Sequence, residues 1–214
     1  MVSFALITEG ETDQAVLRNI LIGLYGADVD VTELQPLRDT TDSSRIKSDS
    51  FGGWEKVFEY CQYENFEEVF EFNDYVIIQI DTDMGEHVNF GVPLTRDGID
   101  RPVEDLVDDV RNKIIAHINQ NSYQQYNNQF KFAIAVHSLE CWLLPLYAKI
   151  PHTKKIKECE TRLKYEGQQI GLESTKKYPQ YDKLSRQYRK PKELEKAKQH
   201  QSSLALFLDS LPQF

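Results

Sequence analysis

Three apolar runs of strand length, separated by helical patterns, constrain the fold of this chain more than any other feature. They are Val2–Thr8, Tyr75–Ile80 and Phe130–Val136, and each ends abruptly at polar residues. A fourth run, Val29–Leu37, contains Pro36, which cannot donate to a strand ladder and therefore belongs near a sheet edge. The alternation of strands with amphipathic helices predicts an α/β fold with a mostly parallel open sheet flanked by helices.

The C-terminal third has no strand signal and carries a different charge. Residues 149–198 hold 15 Lys/Arg and 7 Asp/Glu, a balance of +8, whereas the rest of the chain holds 10 and 27, a balance of −17. We therefore expect an acidic α/β domain over residues 1–148 and a basic helical C-terminal appendage over residues 149–214 that packs on it. The basic segment could meet phosphate, or it could be a solvated helical face.

Several classes of protein are disfavoured by composition. No apolar run approaches the roughly 20 residues that span a bilayer, and the first residues lack the basic start of a signal peptide, so no membrane association is expected. The three cysteines, Cys61, Cys141 and Cys159, are widely separated and form no CxxC pair. Their spacing argues against structural zinc and against a disulfide framework, and a cytoplasmic location is expected.

Acidic residues follow three of the predicted strands. Glu9 follows the first strand with Asp13 one helical turn later, Asp81 and Asp83 follow the second, and Glu140 follows the third. Because the carboxyl ends of parallel strands meet at one edge of a sheet, we expect these side chains to converge. Carboxylate oxygens suit Mg²⁺, and without a cation the cluster would repel itself. The sequence therefore predicts a divalent-metal site on residues 1–148.

Each acidic residue taken alone also has an ordinary explanation. Asp13 would favour a helix N-terminus through its charge, and Glu140 could partner His137. A phosphatase of the haloacid-dehalogenase type has an Asp-x-Asp after a strand, but its nucleophile belongs on the first strand, where this chain has Glu9. A Walker-type NTPase is disfavoured because the chain has no GxxxxGK(S/T) segment. Joint placement at three strand ends favours the metal site.

Two acidic motifs, each following a predicted strand, resemble the TOPRIM fold of topoisomerases, primases and OLD-type nucleases. They are Glu9-Gly10-Glu11-Thr12-Asp13 and Asp81-Thr82-Asp83, and the spacing from Glu9 to Asp13 is similar to that of the OLD-type nucleases. Gly52-Gly53-Trp54 and the segment from Ser138 to Leu144 resemble motifs of small bacterial TOPRIM-like proteins, the DUF4276 and RloB-like groups. The resemblance covers roughly residues 1–148 and implies a TOPRIM, Rossmann-like sheet.

The resemblance also implies roles for individual residues around Mg²⁺ or Mn²⁺. Glu9 and Asp81 are implied to be catalytic as well as metal-binding, and a basic residue is implied near the scissile phosphate. Lys183 and Arg186 are the candidates for that basic residue. The metal ligands implied by the resemblance are Glu9, Asp13, Asp81, Asp83, Ser138 and Glu140.

The expected function is therefore metal-dependent phosphodiester cleavage of nucleic acid, with DNA as the first candidate, in phage defence or DNA metabolism. Two-metal hydrolysis is the mechanism that such a site would use. The chain lacks the ATPase domain of OLD-type nucleases, so an ATPase is an expected partner. The alternative is a non-catalytic metal-binding TOPRIM subunit of a defence or regulatory complex, and a homodimer is left open.

Overall fold

The computed structural model describes residues 1–37, 53–63, 65–172 and 175–213. Four strands form a parallel sheet in the order β2-β1-β3-β6, and β4 and β5 form a separate hairpin. The predicted α/β class with a mostly parallel open sheet is therefore confirmed, and β2 lies at an edge, as Pro36 indicates. The strands are β1 (Ser3–Ile7), β2 (Asp30–Gln35), β3 (Tyr75–Asp81), β4 (Thr95–Arg96), β5 (Ile99–Asp100) and β6 (Phe130–Ala135).

Helices cover both faces of the sheet, and short 3₁₀ turns lie at Phe66–Glu71, His152–Lys154 and Arg186–Arg189. In the described residues, no helix is both long enough and apolar enough to cross a bilayer. The α-helices are α1 (Glu11–Tyr25), α2 (Trp54–Cys61), α3 (Val103–His117), α4 (Gln120–Tyr126), α5 (Glu140–Tyr147), α6 (Cys159–Gln169), α7 (Tyr178–Ser185), α8 (Pro191–Lys198) and α9 (Ser202–Ser210).

The order of the strands places a topological switch point at the centre of the sheet. β1 pairs with β2 on one side and with β3 on the other, in registers that run through Leu6↔Glu33 and Leu6↔Ile77. The chain leaves β1 toward one edge of the sheet and leaves β3 toward the opposite edge. The loops after these two strands therefore diverge and leave a crevice beyond their carboxyl ends, where open parallel sheets bind ligands.

The C-terminal helices share a core with one face of the sheet. Leu17 and Ile20 of α1 and Trp142 of α5 are fully buried in the same cluster as Tyr188 and Phe207 from the C-terminal region. The Tyr188 hydroxyl donates a hydrogen bond to the Trp142 carbonyl inside this cluster. The opposite face is covered mainly by α2 and α3.

Two local features differ from the sequence prediction. Cys141 and Cys159 form a disulfide between the first turn of α5 and the first residue of α6, so the expectation of no disulfide is wrong. The two helices pack against each other and bring residues 18 positions apart together, which spacing alone does not reveal. The segment between β3 and α3, for which no strand is predicted, contains the β4–β5 hairpin, whose turn residues Asp97 and Gly98 have positive φ values of 53° and 75°. Asp-Gly is a favoured pair for such a turn.

Gly23 is the point of closest approach between α1 and the C-terminal region. A Cβ atom at this position would lie 2.0 Å from the Tyr188 carbonyl oxygen and 2.9 Å from Leu194 Cδ1. We expect Gly23→Ala to lower the free energy of unfolding by about 1–3 kcal/mol, because a backbone carbonyl must move. Urea denaturation of the wild type and of Gly23→Ala measures this difference in the free energy of unfolding. In an uncrowded helix the same change stabilises by roughly 1 kcal/mol, so a gain in stability would contradict this packing.

Candidate functional site

Glu9 and Asp81 lie at the switch point and are tied together across neighbouring strands. Asp81 ends β3, and Glu9 follows β1 by two residues. Glu9 Oε1 accepts a hydrogen bond of 2.8 Å from the Asp81 backbone N–H. The carbonyl of Glu9 accepts a 2.7 Å hydrogen bond from the Gly53 N–H, which fixes the turn after β1 from its other side. Two carboxylates are thereby held at the centre of the crevice.

Gln79 is a buried amide that orients both of these residues. It lies inside β3 with no solvent exposure. Its Oε1 accepts a hydrogen bond of 3.2 Å from the Glu9 N–H, and its Nε2 donates one of 2.9 Å to Asp81 Oδ1. The Leu139 N–H donates to the same Asp81 oxygen at 3.1 Å. Sequence reasoning missed Gln79, although a single amide inside the apolar run YVIIQI was the available signal.

Three further carboxylates surround this pair. Asp13, in the first turn of α1, is buried and has a backbone hydrogen bond from Gly10. Glu140, the first residue of α5, is also buried. Asp83 is the exposed member, and its N–H donates a 2.9 Å hydrogen bond to the carbonyl of His137. We call Glu9, Asp13, Asp81, Asp83 and Glu140 the acidic cluster.

Burial and mutual repulsion perturb the ionisation of the acidic cluster. Burial, and then the charge of Asp13, raise the pKa of Glu9 to about 8. Burial, and then the charge of Glu140, raise the pKa of Asp13 to about 7. Burial and the charge of Glu9 hold the pKa of Asp81 well above its usual range, and partial burial raises the pKa of Asp83. These carboxylates are close enough to repel one another, so at neutral pH the metal-free cluster retains protons.

Among the described lysines and arginines, Lys176 is the one that reaches the acidic cluster. Its Nζ lies 3.8 Å from Glu140 Oε1 and 3.2 Å from Oε2 of Glu160, which lies on α6. The positive charge lowers the pKa values of Glu9 and Asp13 against the larger effect of burial. Lys176 was not among the predicted site residues. It lies between α6 and α7, where the sequence shows neither a helical nor a strand periodicity that would place its side chain.

The two predicted basic candidates lie elsewhere. Lys183 is exposed on α7, two residues after Tyr181, whose buried hydroxyl donates a 2.6 Å hydrogen bond to Glu140 Oε1. Residues two apart leave a helix on opposite sides, so Lys183 points away from Glu140. Arg186 forms an ion pair with Asp182. The structure therefore brings Tyr181 and Lys176 to the acidic cluster, and it does not bring Lys183 or Arg186 there.

Ser138 and the tryptophan motif border the acidic cluster. The carbonyl of Ser138 accepts a 3.0 Å hydrogen bond from the Cys141 N–H, which starts α5, and its hydroxyl has no hydrogen-bond partner among the described residues. Trp54 is nearly buried and packs its ring against His87 and Phe90. Gly52, the first residue of the Gly52-Gly53-Trp54 motif, lies outside the described residues.

The residues of the acidic cluster fit a divalent cation by their chemistry. If all five carboxylates ionise, they carry five negative charges against the single positive charge that Lys176 supplies from the described residues, and a divalent cation would balance part of the excess. Across the described ranges, no three His, Cys, Asp or Glu side chains stand in a ready-formed metal-binding arrangement. One oxygen each of Glu9, Asp81 and Glu140 is held by a protein hydrogen bond. The second oxygens receive none from the described residues, so they are the atoms that could bind a cation.

Comparison with known proteins does not assign the chain to a family. No protein-family model, no curated protein and no solved structure matches it. The TOPRIM resemblance therefore stays a prediction that rests on the two acidic motifs.

Proposed function

We propose that this chain is a Mg²⁺- or Mn²⁺-dependent phosphodiesterase of the TOPRIM type that cleaves nucleic acid. The observation that carries the proposal is the acidic cluster, in which five carboxylates from the segments that follow three parallel strands lie close together beside Lys176. Such a site repels a phosphate on its own and attracts one only after divalent cations have reversed its charge. Phosphoryl transfer is the chemistry for which this combination of carboxylates, cations and one lysine is suited.

The residues divide into those that would hold the metal and those that would orient them. Glu9, Asp13, Asp81, Asp83 and Glu140 are the proposed ligands. When bound, the metal supplies Lewis-acid polarisation of the phosphate and a nucleophile from water at neutral pH. The Leu139 N–H and Gln79 hold Asp81 through one oxygen, and Tyr181 holds Glu140 in the same way. These hydrogen bonds to ligating groups reduce the reorganisation that binding requires.

Lys176 is the residue we assign to the phosphate itself. Its ammonium is exposed and lies at the rim of the acidic cluster, where it can approach a phosphoryl oxygen as negative charge develops. Its Nζ also forms an ion pair with Glu160 Oε2 at 3.2 Å. Lys176 therefore replaces Lys183 as the proposed basic catalytic residue.

The test is hydrolysis of bis(p-nitrophenyl) phosphate and of plasmid DNA by the purified protein with Mn²⁺, Mg²⁺ or EDTA. We expect hydrolysis with either metal and none with EDTA. Lys176→Ala is expected to lower kcat by roughly 10- to 1000-fold, because one preorganised cation is lost from the transition state. Lys183→Ala is the matched control, because it removes the same charge from a position that faces away from Glu140.

Two outcomes would count against the proposal. Equal losses of kcat in the two lysine variants would mean that the basic C-terminal region acts only through its overall charge. Mn²⁺ binding by calorimetry without hydrolysis of either substrate would favour the non-catalytic metal-binding subunit.

A further inference from the structure

We propose that a groove beside the acidic cluster takes the nucleic-acid strand that leads away from the scissile phosphate, and that this strand is single. The inference rests on the proposed function and names its substrate class. The groove lies between α6 and residues 171–172 and 175–176, and it has a volume of about 620 Å³. The polar side chains that line it are those of Glu160, Lys164, Gln168, Thr175 and Lys176.

Lys176 makes the groove continuous with the acidic cluster. Its Nζ lies 3.8 Å from Glu140 Oε1 in the cluster and 3.2 Å from Glu160 Oε2 in the groove. A phosphate that sits at the cluster next to Lys176 therefore has the groove as its neighbouring space. A chain attached to that phosphate can therefore extend along Lys176 toward Glu160 and the groove.

The lining of the groove suits a phosphodiester chain. Glu160, Lys164 and Gln168 follow one another at intervals of four on α6, so they form a stripe along one side of the helix. Lys164 and Gln168 lie about 6 Å and 12 Å along the axis from Glu160, which marks the end nearest the cluster. Lys164 is exposed and lines the groove. Its ammonium is therefore available to a phosphate, and the Gln168 amide and Thr175 hydroxyl can bond sugar or base.

The shape of the groove favours a single strand. The chain folds back at the end of α6, where the Leu172 N–H donates a 2.9 Å hydrogen bond to the Gly167 carbonyl. A Cβ on Gly167 would lie 2.9 Å from the Leu172 oxygen, so this wall is tightly packed and formed in advance. A volume of about 620 Å³ lies within the range of sites that enclose one small ligand, which corresponds to a nucleotide unit rather than a double helix.

The test is binding of a fluorescent 12-nucleotide single strand and of the corresponding duplex, measured by anisotropy with Ca²⁺ in place of Mn²⁺. We expect the full-length protein to bind the single strand more tightly than the duplex. Lys164→Ala is expected to weaken single-strand binding about three- to tenfold and to reduce the salt slope by about 0.7, the value for one phosphate contact in a single strand. Lys192→Ala removes an exposed lysine from α8 and is expected to leave single-strand binding unchanged.

The outcomes separate this inference from the proposed function. Metal-dependent hydrolysis by the wild type, together with unchanged single-strand binding by Lys164→Ala, would overturn the proposal that the groove binds the strand. The proposed phosphodiesterase activity would still stand. Equal weakening by Lys164→Ala and Lys192→Ala would also overturn it, because the basic region would then act as a whole. Binding that depends on Lys164 in a protein without hydrolysis would support the groove and remove the proposed activity.

Discussion

Asp81→Asn is expected to lower metal-dependent phosphodiester hydrolysis by roughly 100- to 1000-fold or more, because it neutralises the carboxylate at the centre of the acidic cluster. Asn keeps an oxygen that can accept from the Leu139 N–H and from Gln79, so the local hydrogen bonds at 3.1 Å and 2.9 Å need not break. The loss would therefore report the negative charge rather than the fold. Initial rates with Mn²⁺, together with calorimetric Mn²⁺ titration of both proteins, measure it.

The same substitution is expected to stabilise the metal-free protein. Burial and the charge of Glu9 hold the pKa of Asp81 well above its usual range, which means that its ionised form is disfavoured in the fold. Asn does not ionise, so the substitution removes the cost that the fold imposes on this carboxyl above its ordinary pKa. A gain of about 1–2 kcal/mol would raise the Tm in EDTA by about 2–8 °C. Asp28→Asn, at an exposed turn, is the control.

A lower Tm for Asp81→Asn would show that Asp81 contributes more as a structural hydrogen-bond acceptor than as a charge. Unchanged hydrolysis would remove Asp81 from the catalytic site. The expected combination, less activity with more stability, is characteristic of a site whose charges are kept for function against the preference of the fold.

The central part of the site could be predicted from sequence because the positions of the strands along the chain, and the residues that end them, are encoded locally. β3 is a continuous apolar run closed by Asp81, and a run of that kind indicates a strand that is buried on both faces of a parallel sheet. Glu9 and Glu140 follow two further runs of the same kind. Once the sheet is parallel, the convergence of their carboxyl ends follows from geometry.

The contribution of the C-terminal region could not be predicted in the same way. Lys176 and Tyr181 reach Glu140 because α7 packs on α1, and that docking depends on buried contacts such as the 2.7 Å hydrogen bond from Asn19 Nδ2 to Ser185 Oγ. These partners are 166 positions apart. No local pattern determines which face of α7 meets α1. The charge count therefore identified the basic region but not Lys176, the lysine that reaches the acidic cluster.

A second large effect is expected in the pH dependence of stability without metal. Relative to their ordinary values of 4.5 and 3.8, the pKa of Glu9 is raised to about 8 and that of Asp13 to about 7. At a pH between the ordinary and the raised pKa of each group, the folded state holds a proton that the unfolded chain has released. The free energy of unfolding therefore falls as the pH rises. The stabilisation is complete below the unfolded values and is lost as the pH passes through 7 and 8. We expect the urea midpoint in EDTA to fall steadily from pH 5 to pH 8.

His137 and Asp182 also contribute to the pH dependence of stability, the first in the opposite direction and the second at a lower pH. Burial lowers the pKa of His137, which by itself would make stability rise with pH near the ordinary imidazole value of 6.5. Burial acts to raise the pKa of Asp182, but hydrogen bonds donated by Arg186 and Asn19 outweigh burial and lower the pKa, so the contribution of Asp182 is lost only at acid pH. Glu9→Gln isolates the cluster, because it removes one titrating carboxyl and leaves His137 and Asp182 in place. Its midpoint is expected to depend less on pH than that of the wild type.

Saturating Mg²⁺ or Mn²⁺ is expected to flatten the same curve, because metal ligation requires the ionised carboxylates and displaces their protons. Calorimetric titration in two buffers with different ionisation enthalpies measures the protons released on binding, and the number should increase as the pH is lowered from 8 to 6. Two results would contradict the raised pKa values of these carboxylates. One is a urea midpoint in EDTA that rises between pH 5 and pH 8, and the other is a midpoint that depends on pH no more steeply in the wild type than in Glu9→Gln. Metal binding without proton release at pH 6 would place the cation away from Glu9 and Asp13.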